Sequence, residues 1–291
     1  MVEDDMIRQF KDIDRDGITT LLCDADGNLF PSEEPAFVAS AEVTNRFLRE
    51  FGVERRFTAS ELRLATTGRN FRATAVDLVR SHGVPLDPML AAQYPAPATA
   101  IGTPVASNRV LTAASLDWWV AQEKHEVTAH LRATLTPDPQ VLGPLTELAP
   151  LFTLAVVSSS AIFRLAACFE VTALAPLFPE HRRFSTEDSL PTPTSKPDPA
   201  IYALAGARLG LTTRQALAIE DSVPGAQSAV AAGYPTVGNV VFVSPAERNA
   251  RIEALREVGV AAVVTSWQEL AELLVVPSRP GRPRGGSVSL A

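Results

Sequence analysis

The alternation of apolar and polar positions divides the chain into two regimes. Residues 18–23 form a short, apolar, β-branched run of the kind that makes a buried strand. It stops abruptly in Asp24-Ala25-Asp26-Gly27-Asn28, which is loop chemistry. From residue 34 to about 135 the apolar positions recur at helical spacing. Phe37, Phe47, Leu48 and Phe51 make one stripe, closed by Gly52 as a C-cap. Phe71, Ala75, Leu78 and Val79 make another, ended by His82-Gly83, and Leu116, Val120, Val127, Leu131 and Leu135 make a third. A Pro/Ala-rich stretch, 94–104, separates the last two, and no strong strand is expected here. After Pro137 the period changes. Strands are expected at 154–157, 216–219, 236–243 and 261–265, with helices after the first of these, at 200–209, before Gly233 and at 267–274. Such alternation predicts a parallel sheet with helices on both faces.

The expected architecture is therefore an α/β fold: a parallel-sheet core built from residues 18–33 and 137–276, with an all-helical insertion over 34–136. Residues 1–17 are read as a polar, helical lead-in, and 277–291, rich in Pro, Gly, Arg and Ser, as a disordered tail. In open parallel sheets ligands sit at the carboxyl ends of the strands. An insertion placed after the first strand would lie over that edge as a cap.

Composition narrows the function. A net charge of −7 over 291 residues argues against a chain whose task is gripping a nucleic-acid backbone. The acidic start, Val2-Glu3-Asp4-Asp5, is unlike a signal peptide, and no apolar run approaches a membrane span, so a soluble, cytoplasmic protein is expected. Cys23 and Cys168 form no CxxC pair and imply no disulfide framework; Cys23 is read as packing. Lys11, Lys124 and Lys196 are the only lysines, which makes the place of each informative.

Three apolar runs end in polar clusters: Asp24 with Asp26, Ser158, and Glu220 with Asp221. All would gather at one sheet edge, with Lys196 in the polar loop Thr194-Ser195-Lys196-Pro197-Asp198-Pro199. Converging carboxylates repel one another, and the usual remedies are protonation or a hard cation; oxygen-only ligands favour Mg2+. A carboxylate, a metal, a lysine and a hydroxyl are what phosphoryl transfer requires.

These segments resemble the haloacid dehalogenase superfamily, in the branch with a helical cap after the first strand (phosphoglycolate phosphatase and β-phosphoglucomutase-like proteins). Asp24-Ala25-Asp26-Gly27-Asn28-Leu29-Phe30-Pro31-Ser32-Glu33 is similar to its first motif, DxDGxLxxSE. Val156-Val157-Ser158-Ser159-Ser160 resembles the second, Ser195-Lys196-Pro197-Asp198-Pro199-Ala200-Ile201-Tyr202 the third, and Ile219-Glu220-Asp221-Ser222-Val223-Pro224-Gly225-Ala226 the fourth. The resemblance implies a Rossmann-like core and assigns roles. Asp24 is the nucleophile and a metal ligand. Asp26 is general acid and base, its carbonyl also touching the metal. Ser158 and the Ser159 amide hold phosphoryl oxygens, Lys196 neutralises Asp24 and the transferring group, Asp221 ligates Mg2+, and Glu220 is outer-sphere. Cys23, Pro31 and Ser195 depart from the usual residues without removing a catalytic group.

The implied activity is Mg2+-dependent hydrolysis of a small phosphorylated sugar, polyol or hydroxy acid through an aspartyl-phosphate. The expected partners are a small phosphate ester, no nucleic acid and no membrane, in a monomer or weak homodimer. Asp26 argues against a dehalogenase, which would not need a second acid. Lys124, late in the insertion, argues against Schiff-base chemistry. A β-phosphoglucomutase-type mutase is the nearest enzymatic rival, but such mutases carry a histidine where this chain has Pro35-Ala36-Phe37. A catalytically silent binding protein is the rival of another class. A calcium loop fits poorly: Asp12 to Gly17 would need Glu at position 23, and the Asp24 series lacks a glycine at its sixth position. Asp12, Asp14 and Asp16 are read as a surface turn, Ser160 as a helix N-cap, Trp118 and Trp119 as core of the insertion, and Arg69 and Arg72 as candidate substrate contacts.

Overall fold

A computed structural model of the chain describes residues 7–66, 70–94, 109–192 and 194–275. Its sheet contains β1 (Arg8–Gln9), β2 (Thr20–Cys23), β3 (Thr153–Ser158), β4 (Arg183–Ser185), β5 (Ala216–Glu220), β6 (Thr236–Asn239) and β7 (Ala262–Val264). The order is β1-β7-β6-β5-β2-β3-β4; all pairs are parallel except β1 with β7. β2 therefore lies between β3 and β5, so the three chemistry-bearing strand ends are adjacent.

Strand residues alternate between two buried faces, as the pleat demands. Leu21, Cys23, Leu154, Val156, Leu217 and Ile219 join one apolar cluster, while Leu22, Ala155, Val157, Ala216 and Ala218 join that of the opposite face. Burial on both faces explains the continuous apolar runs.

Between β2 and β3 come α1 (Glu33–Glu50), α2 (Ala59–Thr66), α3 (Phe71–Ser81), α4 (Pro88–Gln93), α5 (Ala113–Thr134) and α6 (Pro139–Leu148). Side-chain caps start α3 to α6: Asn70 accepts from the Ala73 amide, Asp87 from Leu90, Thr112 from Ser115, and Asp138 from Gln140. Phe47, Phe51, Leu62, Val76, Val79, Leu116 and Trp119 form a cluster of their own. Val127 and Leu131, late in α5, and Ala39, early in α1, pack instead with the sheet's cluster. α1 and α5 are thus common to both clusters. The remaining helices are α7 (Ile162–Val171), α8 (Ala200–Leu209), α9 (Val223–Ala231), α10 (Pro245–Val258) and α11 (Trp267–Val275).

Several expectations require correction. The N-terminal segment is not helical over its described part: Arg8 and Gln9 pair with Val263 and Ala262 as an edge strand. The strand expected over 236–243 ends at Asn239. Trp118 is exposed, and only Trp119, in edge contact with it and with Phe47, is core. Residues 276–291, with the expected tail, lie outside the described residues. Among the described residues no helix is long and apolar enough to cross a membrane.

Candidate active site

Asp24 is the first residue past β2, its amide bonded to the Ile219 carbonyl of β5 at 2.9 Å. Its carboxylate is buried and meets Lys196, whose Nζ donates to Asp24 Oδ1 (2.5 Å), Glu220 Oε1 (2.6 Å) and the Val157 carbonyl (2.8 Å). All three ammonium protons are therefore used, and this one side chain ties β2, β3 and β5 together. The Tyr202 hydroxyl adds a 2.5 Å bond to Glu220 Oε1. Glu220 is fully buried, and its Oε2 has no hydrogen-bond partner.

The carboxylate oxygens of Asp24, Glu220 and Asp221 fall within 4.8 Å of one another. Burial drives the Asp24 carboxyl well above its ordinary range; Lys196 opposes this, and Glu220, Asp221 and Asp26 add to it. Asp221 is pushed up to about 8, by burial and then Glu220, against Arg251 and Lys196. Burial also works against the Lys196 ammonium, but Asp24 and Glu220 outweigh it and hold its pKa above the usual lysine value. Three clustered carboxylates against one lysine leave excess negative charge in a buried, oxygen-only donor set, which suits a hard divalent cation. Gly27 makes room for the cluster: it sits at φ +77°, and a side chain there would collide with the Asp221 carboxylate.

Asp26 stands apart from Lys196. Ser32 Oγ donates to its Oδ1 at 2.5 Å and Ser160 Oγ to its Oδ2 at 2.7 Å. Ser160 is therefore not the N-cap of α7. That helix start is served by Asp188, whose carboxylate accepts from the Ile162 amide at 2.6 Å. The Ser160 amide donates to Ser158 Oγ at 2.9 Å, which leaves the buried Ser158 hydroxyl its proton to give. Ser159 is exposed, and its carbonyl accepts from Thr186 Oγ1 at 3.4 Å.

The structure thus brings Asp24, Asp26, Ser158, Ser159, Lys196, Glu220 and Asp221 to one edge of the sheet. Arg72 lies on α3, in an ion pair with Asp117 of α5. Arg69 lies outside the described residues. Lys124 is bonded to Glu187, in the segment after β4. Both cysteines are buried thiols, pushed up by burial, Cys168 to about 12, and neither is a poised nucleophile. Sequence reasoning missed Ser32, Ser160 and Tyr202 as ligands of the carboxylates. Ser32 and Tyr202 stand inside recognisable motifs, so position was a usable signal; for Ser160 the pull of a helix start was stronger.

A family profile for haloacid dehalogenase-like hydrolases matches residues 18–233. A comparison with curated proteins gave no match. Among solved structures, a family hydrolase from Deinococcus radiodurans, with bound phosphate and sodium, is 26% identical (TM-score 0.57; 89% of this chain, 95% of that one). A predicted phosphoglycolate phosphatase from Haemophilus somnus is 18% identical (TM-score 0.62; 88% and 98%). A candidate β-phosphoglucomutase from Thermotoga maritima is 20% identical (TM-score 0.53; 88% and 98%).

Proposed function

Because this chain belongs to the haloacid dehalogenase-like hydrolases, we propose that it is a phosphatase, hydrolysing a small phosphate monoester through an aspartyl-phosphate at Asp24. The observation that carries this reading is the separation of two carboxylates. Asp24 is locked in the Lys196 cluster, whereas Asp26 is held outside it by Ser32 and Ser160. One acid is thereby oriented for attack and the other for proton transfer.

In the first step a carboxylate oxygen of Asp24 attacks phosphorus, and the bond from phosphorus to the ester oxygen breaks. Asp26 gives its proton to the departing oxygen. In the second step water attacks the same phosphorus, Asp26 takes the water's proton, and the bond from Asp24 to phosphorus breaks, releasing phosphate. Lys196 holds Asp24 in place and offsets charge on the transferring group. The Ser158 hydroxyl and Ser159 amide receive phosphoryl oxygens, and water exclusion strengthens each of these interactions. Asp24, the Asp26 carbonyl and Asp221 would hold Mg2+, with Glu220 behind them, and the bound ion neutralises charge shared by the carboxylates and phosphate. The candidate cap is the helical insertion, and its side chains select the leaving group.

The test is turnover of p-nitrophenyl phosphate with Mg2+. Activity should be abolished by EDTA, restored by Mg2+, and reduced roughly 10⁴-fold or more by Asp24→Asn, as for loss of a covalent nucleophile. A purified protein with no turnover, or one indifferent to Asp24→Asn, contradicts the proposal.

A further inference from the structure

Behind the charged cluster lies a second polar network that contributes no charge. Asn28 is fully buried in the loop after β2. Its Nδ2 donates to the carbonyl of Asp24 at 2.9 Å and to that of Ile219 at 3.3 Å. Those carbonyls belong to the ends of two neighbouring strands, one carrying Asp24 and the other leading directly into Glu220 and Asp221. Asn28 Oδ1 accepts from Asn239 Nδ2 at 2.9 Å. Asn239, fully buried at the end of β6, is fixed in turn by the Val241 amide, which donates to its Oδ1 at 3.2 Å. The indole of Trp267, buried at the start of α11, donates to the Asn28 carbonyl at 2.9 Å.

Every polar atom of the Asn28 amide is thereby used, and only one orientation satisfies it. A flipped amide would set its oxygen against two carbonyls and its nitrogen against another NH2 group. Buried and fully satisfied networks of this kind fix geometry, and a half-satisfied one is costly.

The geometry points to Asn28 and Asn239 as positioning residues that set the separation of Asp24 from Asp221, and so the bite of the divalent-cation site. Asn28 bridges the two strand ends, and Asn239 acts only through Asn28, by holding its amide in register. Neither touches substrate or the ligating oxygens. The inference rests on the phosphatase reading for what the site does, but its distances are independent of that reading.

The experiment compares the wild type with Asn28→Ala, Asn239→Ala and the double variant. Mg2+ affinity is measured by isothermal titration calorimetry, and kcat and KM with p-nitrophenyl phosphate. Each single variant should weaken Mg2+ binding and lower kcat about tenfold, the scale of lost outer-shell support at metal sites. KM should stay within about twofold, since ground-state contacts to the ester are untouched. The double variant should match Asn28→Ala alone, because the second residue works through the first. If Asn28→Ala fails to fold, Asn239→Ala, which leaves the bonds from Asn28 to the carbonyls in place, decides the matter. A folded Asn239→Ala with wild-type Mg2+ affinity and kcat overturns the assignment, as do single losses that multiply in the double variant. Wild-type protein that neither binds Mg2+ nor turns over ester sinks the phosphatase reading and the positioning role with it. Active wild type beside unaffected variants sinks the positioning role alone.

Discussion

At the scale of single residues, the proposed chemistry depends on how differently two aspartates two positions apart are treated. Asp24 shares Lys196 with Glu220, and Asp26 is reached by hydroxyls alone. Replacing Asp26 by Asn keeps the shape and removes the proton carrier. With p-nitrophenyl phosphate, whose leaving group scarcely needs protonation, the first step should persist while attack of water slows by roughly 10²-fold or more. Phosphoenzyme should then accumulate, and an acid quench after rapid mixing would show it. An Asp26→Asn protein that turns over at the wild-type rate would remove this residue from proton transfer. Asp24, Asp26, Ser158, Glu220 and Asp221 were legible in the sequence because each ends or follows an apolar strand and stands in a motif, and Lys196, in a polar loop, because of its motif and the scarcity of lysine. Ser160, Asn28 and Asn239 were not, since a serine before a helix reads as a cap, an asparagine in a turn reads as a turn former, and Asn239 falls inside an expected strand.

At the scale of elements, legibility followed burial. β2, β3 and β5 are covered on both faces, so their sequences are unbroken apolar runs. β1 and β4 were invisible for opposite physical reasons. β1 is two exposed polar residues, made a strand only by the antiparallel partner β7 supplies. β4 is buried but begins with Arg183, whose charge is accommodated by tertiary contacts. Its Nε donates to the Phe178 carbonyl at 2.7 Å, and its guanidinium lies 4.9 Å from the centre of the Phe169 ring. No local pattern announces either arrangement. Trp118 fails as a core assignment because on α5 it points to a different side of the helix from Trp119, and of the two only Trp119 joins the helical cluster.

At the scale of the whole molecule, folding has drawn carboxylates out of water without matching each to a cation. Stability should carry the mark of that arrangement. Asp221 is raised from the ordinary aspartate value of 3.8 to about 8, chiefly by burial. A carboxyl whose folded pKa lies above its unfolded one binds its proton more tightly when folded. Its contribution is full below about pH 4 and is lost as pH rises toward 8. Asp24 shifts in the same direction. Metal-free protein should therefore melt at progressively lower temperature from pH 5 to pH 8, and saturating Mg2+ should offset most of the loss at the upper end while releasing protons on binding. Thermal scans across that range, with EDTA and with Mg2+, check the sign. Curves that rise with pH in EDTA, or that ignore Mg2+, would contradict the charge assignment of the cluster.

The proposed mechanism requires a covalent bond between Asp24 and phosphorus, and that bond can be looked for. Protein quenched in acid during turnover and reduced with borohydride should yield homoserine at position 24 by peptide mass spectrometry, with none in Asp24→Asn. Phosphate release with no trapped species on Asp24, in the wild type or in Asp26→Asn, would show that this residue is not the nucleophile.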